Sequence, residues 1–325
     1  MARLQGELEM ESPECDLERE LYDRPDSVHG LPDSPRRFNI EGNLMSRSGW
    51  PAWRRRISWL VWGFPYMQAL RQDIAQTFTT LDENPSDPQT TITAEHLRNF
   101  EAQALSLGVG AIGYTDLPPE AIFQEKAVLF THAIVLVMEM NADKIAQAPS
   151  PATFRMVMKS YCDLGRVVEK LVEYLRQNGY AAQGGHPLNG VTLYPLIAQR
   201  AGLGQLGANG LLITPQFGPR HRLAAIYTSI SNLPDTMTDE HTWVSAFCSW
   251  CRQCHRKCPS QAIYDEPISR QSGIVSHVDV ERCFPVFADR YGCSICIKLC
   301  PFTLHPYEQI WDRFARRVAE RKVTT

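Results

Sequence analysis

The chain has 325 residues, 44% of them hydrophobic and 21% charged, with 33 Lys and Arg against 36 Asp and Glu for a formal net charge of −3. It is too apolar to be disordered and long enough for a large core, in one domain or two. It carries no global basic field for nucleic acid, and no apolar run approaches the ~20 residues that span a bilayer.

Residues 1–50 are polar, with turn signals at Arg24-Pro25-Asp26 and Pro32-Asp33-Ser34, and are expected to form a loosely structured arm. Its first 26 residues hold nine Asp and Glu against three Arg, unlike the basic start of a signal peptide. Arg36-Arg37 is a twin arginine, but polar Glu41-Gly42-Asn43 follows it. Residues 52–82 mix aromatic and basic side chains, among them Trp53, Arg54, Trp59 and Tyr66, and are expected to pack over the core. Thr93 is a plausible N-cap for a helix over residues 92–107, and Ala133 to Met138 reads as a buried strand.

Ser150-Pro151 starts the clearest helix, with an N-cap followed by proline in the first turn. Val157, Tyr161, Leu164, Val168, Leu171 and Leu175 then recur at helical spacing, and Asn178-Gly179 ends it. Residues 184–223 are dense in glycine. Leu211 to Thr214 and Leu223 to Ile230 read as strands. Helices and strands alternate without a βαβ period, so the fold class is expected to be α+β. The expected division is an arm over 1–50, a core over 51–240, a cysteine-rich domain over 241–305 and a helical tail over 306–325.

Eight of the ten cysteines lie between Cys248 and Cys300. The first run, Cys248-x2-Cys251-x2-Cys254-x3-Cys258-Pro259, has the spacing of a bacterial [4Fe–4S] ferredoxin, in which the fourth thiolate reaches a second cluster. The second run is Cys283, then Cys293-x2-Cys296-x3-Cys300-Pro301. By the crossing rule, Cys248, Cys251, Cys254 and Cys300 hold one cluster, and Cys258, Cys283, Cys293 and Cys296 the other. Zinc and disulfides are the competing readings, but zinc ribbons use two separated Cys pairs, and disulfides suit a secreted miniprotein. Arg252, Arg256 and Lys257 can offset cluster charge, and His255 is expected beside the first cluster as a hydrogen-bonding neighbour. Cys15 and Cys162 read as ordinary thiols. No G-x-G-x-x-G follows a strand, no P-loop occurs, and no D-x-H-x-x-G cobalamin signature occurs.

Ala201-Gly202-Leu203-Gly204, then Gly210-Leu211-Leu212-Ile213-Thr214-Pro215-Gln216-Phe217-Gly218-Pro219-Arg220-His221-Arg222, followed by two ferredoxin-type cysteine runs, resembles the corrinoid-dependent reductive dehalogenases. It is also similar to epoxyqueuosine reductase, their relative. Arg37-Phe38-Asn39, Met45 to Trp50, Ala133 to Met140, Ala148-Pro149-Ser150 and Tyr174 to Tyr180 resemble the dehalogenases more closely. The resemblance implies a nitroreductase-like core that binds base-off cobalamin without a histidine ligand, and a C-terminal ferredoxin-like domain with two [4Fe–4S] clusters.

The implied activity is an oxidoreductase that replaces halogen by hydrogen on a small organohalide. Electrons would come from an external low-potential donor of ferredoxin or flavodoxin type. No nucleic-acid partner or transmembrane segment is expected. Secreted members carry a twin-arginine leader, so its absence implies a cytoplasmic location, and the short chain implies an open pocket or one completed by another chain. By resemblance Tyr161 is the proton donor and Arg220 the basic residue that stabilises the phenolate, with Arg222 the rival for that role. Asn189 stands where epoxyqueuosine reductase has an aspartate donor and would orient substrate. Gly202, Gly204, Gly207, Gly210, Thr214, Phe217 and Arg222 are the expected cobalamin contacts. Tyr194 and His186 are lesser pocket candidates. A tRNA-modifying reductase and a non-catalytic corrinoid and iron–sulfur electron carrier are the alternatives.

Overall fold

The computed structural model describes residues 13–38 and 52–323. The Met45 to Trp50 stretch and the side chains of Cys15, Trp53, Arg54 and Trp59 lie outside the described residues. Among those described, no helix is long and apolar enough to cross a membrane.

Four strands, Ala111–Asp116, His132–Glu139, His221–Thr228 and Ala182–Gly185, lie side by side in that order, each antiparallel to its neighbours. The middle two are unbroken apolar runs because both faces of the sheet are covered. Ala133, Val135 and Val137 share one face with Leu223, Ala225 and Tyr227. Ile134, Leu136, Ala224 and Ile226 share the other, against Leu164, Val168, Leu171 and Leu175. Those leucines and Val168 are the stripe of the helix Pro151–Gln177, whose N-cap Ser150 accepts from the Thr153 amide. Thr93 likewise caps the helix Ala94–Ser106 through the His96 amide. The expected strand over Leu211 to Thr214 contracts to Leu212–Ile213, paired with Gln205–Leu206.

The segment expected only to pack over the core is one helix, Ala52–Thr79, whose backbone runs through Pro65. Its Ile74 and Phe78 join the first sheet face. The arm is more ordered than its composition suggests. The helix Pro13–Tyr22 carries Glu18, which is only 5% exposed. Arg37 binds that carboxylate through two nitrogens at 2.6 and 2.8 Å, and Lys126 also reaches it. A buried carboxylate needs such partners. One arginine of the twin pair is therefore engaged in packing.

The cysteine-rich region starts with the helices Trp243–Cys251 and Gln253–Lys257, then a hairpin of Ile263–Ser269 with Val275–Val278. The final helix, Tyr307–Val323, is not separate from it. Trp243 stacks on Phe314 at 5.9 Å and meets Tyr307 at 5.0 Å.

Between the helices Ala52–Thr79 and Pro151–Gln177, one carboxylate oxygen each of Asp73 and Glu169 is buried without a hydrogen bond, Asp73 keeping an ion pair to Arg166 at 3.7 Å. Burial pushes the Glu169 carboxyl up to about 7; Arg176 opposes this, while Asp73 and Glu83 add to it. The folded chain thus holds a proton that the unfolded chain releases above the ordinary glutamate value of 4.5, so stability falls as pH rises from there to about 7. Glu169→Gln should remove that loss: Tm at pH 8 should rise by ~3 °C or more over the parent, with little difference near pH 4. Calorimetry showing the same pH profile for both proteins would contradict this account.

Candidate active site and metal centres

The structure gathers the cysteines of the two runs close together. Cys248, Cys251, Cys254 and Cys300 line one small cavity together with Asn209 and Phe302. Burial pushes the Cys248 thiol up to about 12, with Cys254 and Cys251 adding to the rise. Cys300 is raised further by burial, and the same three thiols of the first run contribute. Cys258 belongs with the other group. Cys283 is pushed up to about 11 by burial, with Cys258 and Cys293 contributing, and Cys296 to about 12, with Cys293, Cys254, Cys283 and Cys258 contributing.

Cys258 departs from the rest. Burial raises its pKa, but hydrogen bonds from Ser260 and from the amides of Ala262, Ser260 and Ile263 outweigh it, so the thiol is lowered. The Ala262 amide lies 3.4 Å from its sulfur. Amide donors aimed at sulfur are what a metal-bound thiolate uses. Among the described residues, no three His, Cys, Asp or Glu side chains converge as the ligands of a single ion do.

Tight winding makes this possible. Arg252, Cys293 and Ser294 sit at φ of 48°, 43° and 59°, left-handed conformations that disfavour side chains. Strain of this kind persists where surrounding contacts enforce it. His255, expected as a neighbour of the first cluster, has an ion-pair partner. Its Nε2 lies 3.2 Å from Asp265, which also binds Arg252.

Tyr161 stands where the sheet core meets the cysteine region. It packs against the cluster of Leu70, Phe154, Met158 and Cys162, as do Tyr291 and Leu188, and against Met140, Ile145 and Val157, as does Ile297. Ile297 follows Cys296 directly, and Lys298 Nζ donates to the Ala148 carbonyl at 2.8 Å. The second cysteine run is thereby fastened beside Tyr161.

The basic partner of Tyr161 is Arg222, not Arg220. The Arg222 guanidinium carbon lies 4.0 Å from the Tyr161 ring centroid, and its Nε donates to Ser160 Oγ at 3.0 Å. Side chains alternate across a strand. Arg222 has the parity of Ala224 and Ile226, which face the helix Pro151–Gln177. Arg220 precedes the strand and turns away, bonding Glu139 at 2.5 Å and the Met140 carbonyl at 2.9 Å.

The glycines expected to admit a flat cofactor are filled by protein instead. A Cβ on Gly202 would strike the Thr236 carbonyl, and one on Gly204 the Ile213 carbonyl. Gly207 abuts Asn209 and Ile213, and Gly210 faces His277. Thr214 and Phe217 serve the turn between them: the Phe217 amide donates to Thr214 Oγ1 at 3.1 Å, and the Phe217 ring fills the space over Gly110. Asn189 is held by the arm, its amide donating to Glu18 at 3.3 Å. Tyr194 donates to the His186 carbonyl at 3.0 Å, and burial lowers His186 to about 3. Both are core residues. Four buried polar atoms beside the strand His221–Thr228 and in the hairpin have no hydrogen-bond partner, and of these residues the sequence singles out only Arg220 for a role: Arg220 Nε, His221 Nδ1, Ser272 Oγ and His277 Nδ1. No local pattern announces them, because each is defined by packing.

A tetrachloroethene reductive dehalogenase of Desulfitobacterium hafniense is 34% identical over 229 residues, 65% of this chain and 39% of that protein. An epoxyqueuosine reductase of Listeria monocytogenes is 32% identical over 113 residues, 33% of this chain and 28% of that protein. Among solved structures, the catabolic reductive dehalogenase NpRdhA in complex with 3-bromo-4-hydroxybenzoic acid matches with a TM-score of 0.63 at 18% identity, over 92% of this chain and 45% of that one. Over these stretches the chain is similar in sequence to reductive dehalogenases and to epoxyqueuosine reductases. At 18% identity, the structural likeness to NpRdhA is one of fold. No protein-family model matches the chain. It spans less than two fifths of the length of each of these two curated relatives.

Crossed ligation has a direct test. Cys300→Ser lies in the second run but should empty the site of the first, lowering iron in the anaerobically reconstituted protein from about eight to about four per chain. Cys258→Ser should empty the other site. Iron and electron paramagnetic resonance would check both; loss of the second-run cluster in Cys300→Ser would reverse the assignment.

Proposed function

We propose that this chain is the core of a corrinoid- and iron–sulfur-dependent reductive dehalogenase, with a nitroreductase-like sheet domain and a ferredoxin-like domain holding two [4Fe–4S] clusters. Cys248, Cys251, Cys254 and Cys300 would hold one cluster, and Cys258, Cys283, Cys293 and Cys296 the other. A bound cobalamin would supply the low-potential two-electron chemistry that releases halide. Cobalamin has a periphery of amides, each both donor and acceptor. Arg220 Nε, a donor, and Nδ1 of His221 and of His277 are unpartnered groups of the matching kind. The expected glycine contacts lend no support, since protein fills them.

The observation that carries the reading is Arg222 over Tyr161, next to the second cysteine run. The reaction consumes an organohalide, two electrons and one proton, and yields the C–H product and halide. Tyr161 donates its hydroxyl proton to the carbon that loses halide. Arg222 offsets the phenolate charge left behind, in a setting partly dried by Met140, Val157 and Ile297. The apolar wall of Leu70, Phe154 and Met158 suits a small, uncharged organohalide. Asn189 has no acidic proton and is engaged by Glu18, which separates this site from epoxyqueuosine chemistry as read from the sequence.

Anaerobic reconstitution with iron, sulfide and cobalamin, followed by halide-release assays over an organohalide panel, tests the proposal. Full iron loading without cobalamin retention would overturn it, and turnover of epoxyqueuosine tRNA without halide release would reassign the chemistry. Tyr161→Phe should lower kcat by ~10²–10⁴-fold with iron and cobalamin content unchanged. Arg222→Gln should lower it by at least ~10-fold. Full activity in Tyr161→Phe would move the proton donor elsewhere.

A further inference from the structure

We propose that the groove beside Cys251 is the docking face for a small acidic one-electron carrier protein. The proposal rests on the iron–sulfur reading above. The groove encloses about 490 Å³ and is lined by Phe247, Trp250, Cys251, Arg256, Leu304 and His305, among others. Its wall includes a ligand of the first cluster site, since Cys251 also lines the cavity shared with Cys248, Cys254 and Cys300. A carrier seated there brings its redox centre within one thiolate of that cluster.

Two of its lining residues are large apolar side chains left in the open: Trp250 is 47% exposed and Leu304 60%. Exposed apolar groups gathered at one groove mark an interaction surface. Around them the charge is positive, although the chain as a whole is at −3. Arg256 lines the groove, and the Arg317 guanidinium lies 4.4 Å from the Trp250 ring centroid. The helix Gln253–Lys257 ends in His255, Arg256 and Lys257. Asp265 occupies Arg252 and His255, but no carboxylate lines the groove itself among the described residues. An apolar centre with a cationic rim selects an acidic partner and speeds its encounter.

The second cluster site lies toward Tyr161 through Ile297. The groove therefore opens on the side of the first cluster site, and the organohalide site adjoins the second. Each encounter passes one electron: the carrier is oxidised by one and the cluster reduced by one, with no bond made and no proton moved. Two encounters supply one turnover.

The test uses the reconstituted holoprotein with flavodoxin hydroquinone as probe, because its oxidation to semiquinone is read by flavin absorbance apart from the clusters. Oxidation should be saturable and should slow as salt is added. Arg317→Glu and Leu304→Asp, on separate helices, should each lower the second-order rate by at least ~10-fold. Calorimetric binding of oxidised flavodoxin should weaken in parallel. Photoreduction by deazaflavin, which needs no docking face, should reduce both variants like the parent. Parental flavodoxin rates in both variants, or a salt-independent rate in the parent, would overturn the proposal. If halide release fails while flavodoxin oxidation shows this pattern, the dehalogenase reading falls and the docking face stands.

Discussion

The crowding of eight thiols within one short stretch is the constraint on which the cysteine region depends. Burial raises Cys248, Cys283, Cys296 and Cys300, while hydrogen bonds lower Cys258. On the proposed reading, metal ions would hold these sulfurs deprotonated, which would link metal loading to the native form of the region. The left-handed Arg252, Cys293 and Ser294 fit the same account. Their backbone strain is tolerable where ligation fixes the loop, and has no other evident return.

The cysteine region meets the core in two places. Ile213 packs with Val244, Phe247 and Phe302, and Gly218 lies against Phe302. Near the helix Pro151–Gln177, Lys298 bonds the Ala148 carbonyl just before the Ser150 cap, Ile297 joins Tyr161 against Met140, Ile145 and Val157, and Tyr291 joins it against Leu70, Phe154, Met158 and Cys162. The strand His221–Thr228 contributes the cation by alternation alone, since parity decides that Arg222 faces the helix.

Much of this was legible in the sequence. Ser150-Pro151, the apolar stripe and Asn178-Gly179 each carry a local signal, and all three appear at the helix they delimit. The apolar run Ala133 to Met138 was read as a strand for the same reason, and the cysteine spacing led to the grouping of thiols found here. What failed depended on tertiary packing. Arg220 and Arg222 are two residues apart, and only the point where the strand begins separates their roles. Glycine density looked like room for a cofactor, whereas Gly202 and Gly204 are small because the backbones at Thr236 and Ile213 press against them. The arm's acidic composition suggested a loose tail, but Glu18 finds Arg37 and Lys126, partners remote in sequence.

Glu18 also bears on the chemistry. Its carboxylate accepts from Asn189, and the Asn189 carbonyl accepts from Arg37 at 3.3 Å. Leu188, the preceding residue, packs against the Tyr161 cluster. The arm thus holds the loop that closes one side of the Tyr161 site. An aspartate at position 189 would place a second carboxylate against Glu18, with Arg37 and Lys126 left to balance both. An amide avoids that conflict, so the arm and the aprotic residue at 189 are compatible parts of one arrangement. The Tyr161 phenol, with Arg222 over its ring, is the proton donor of the proposed reading.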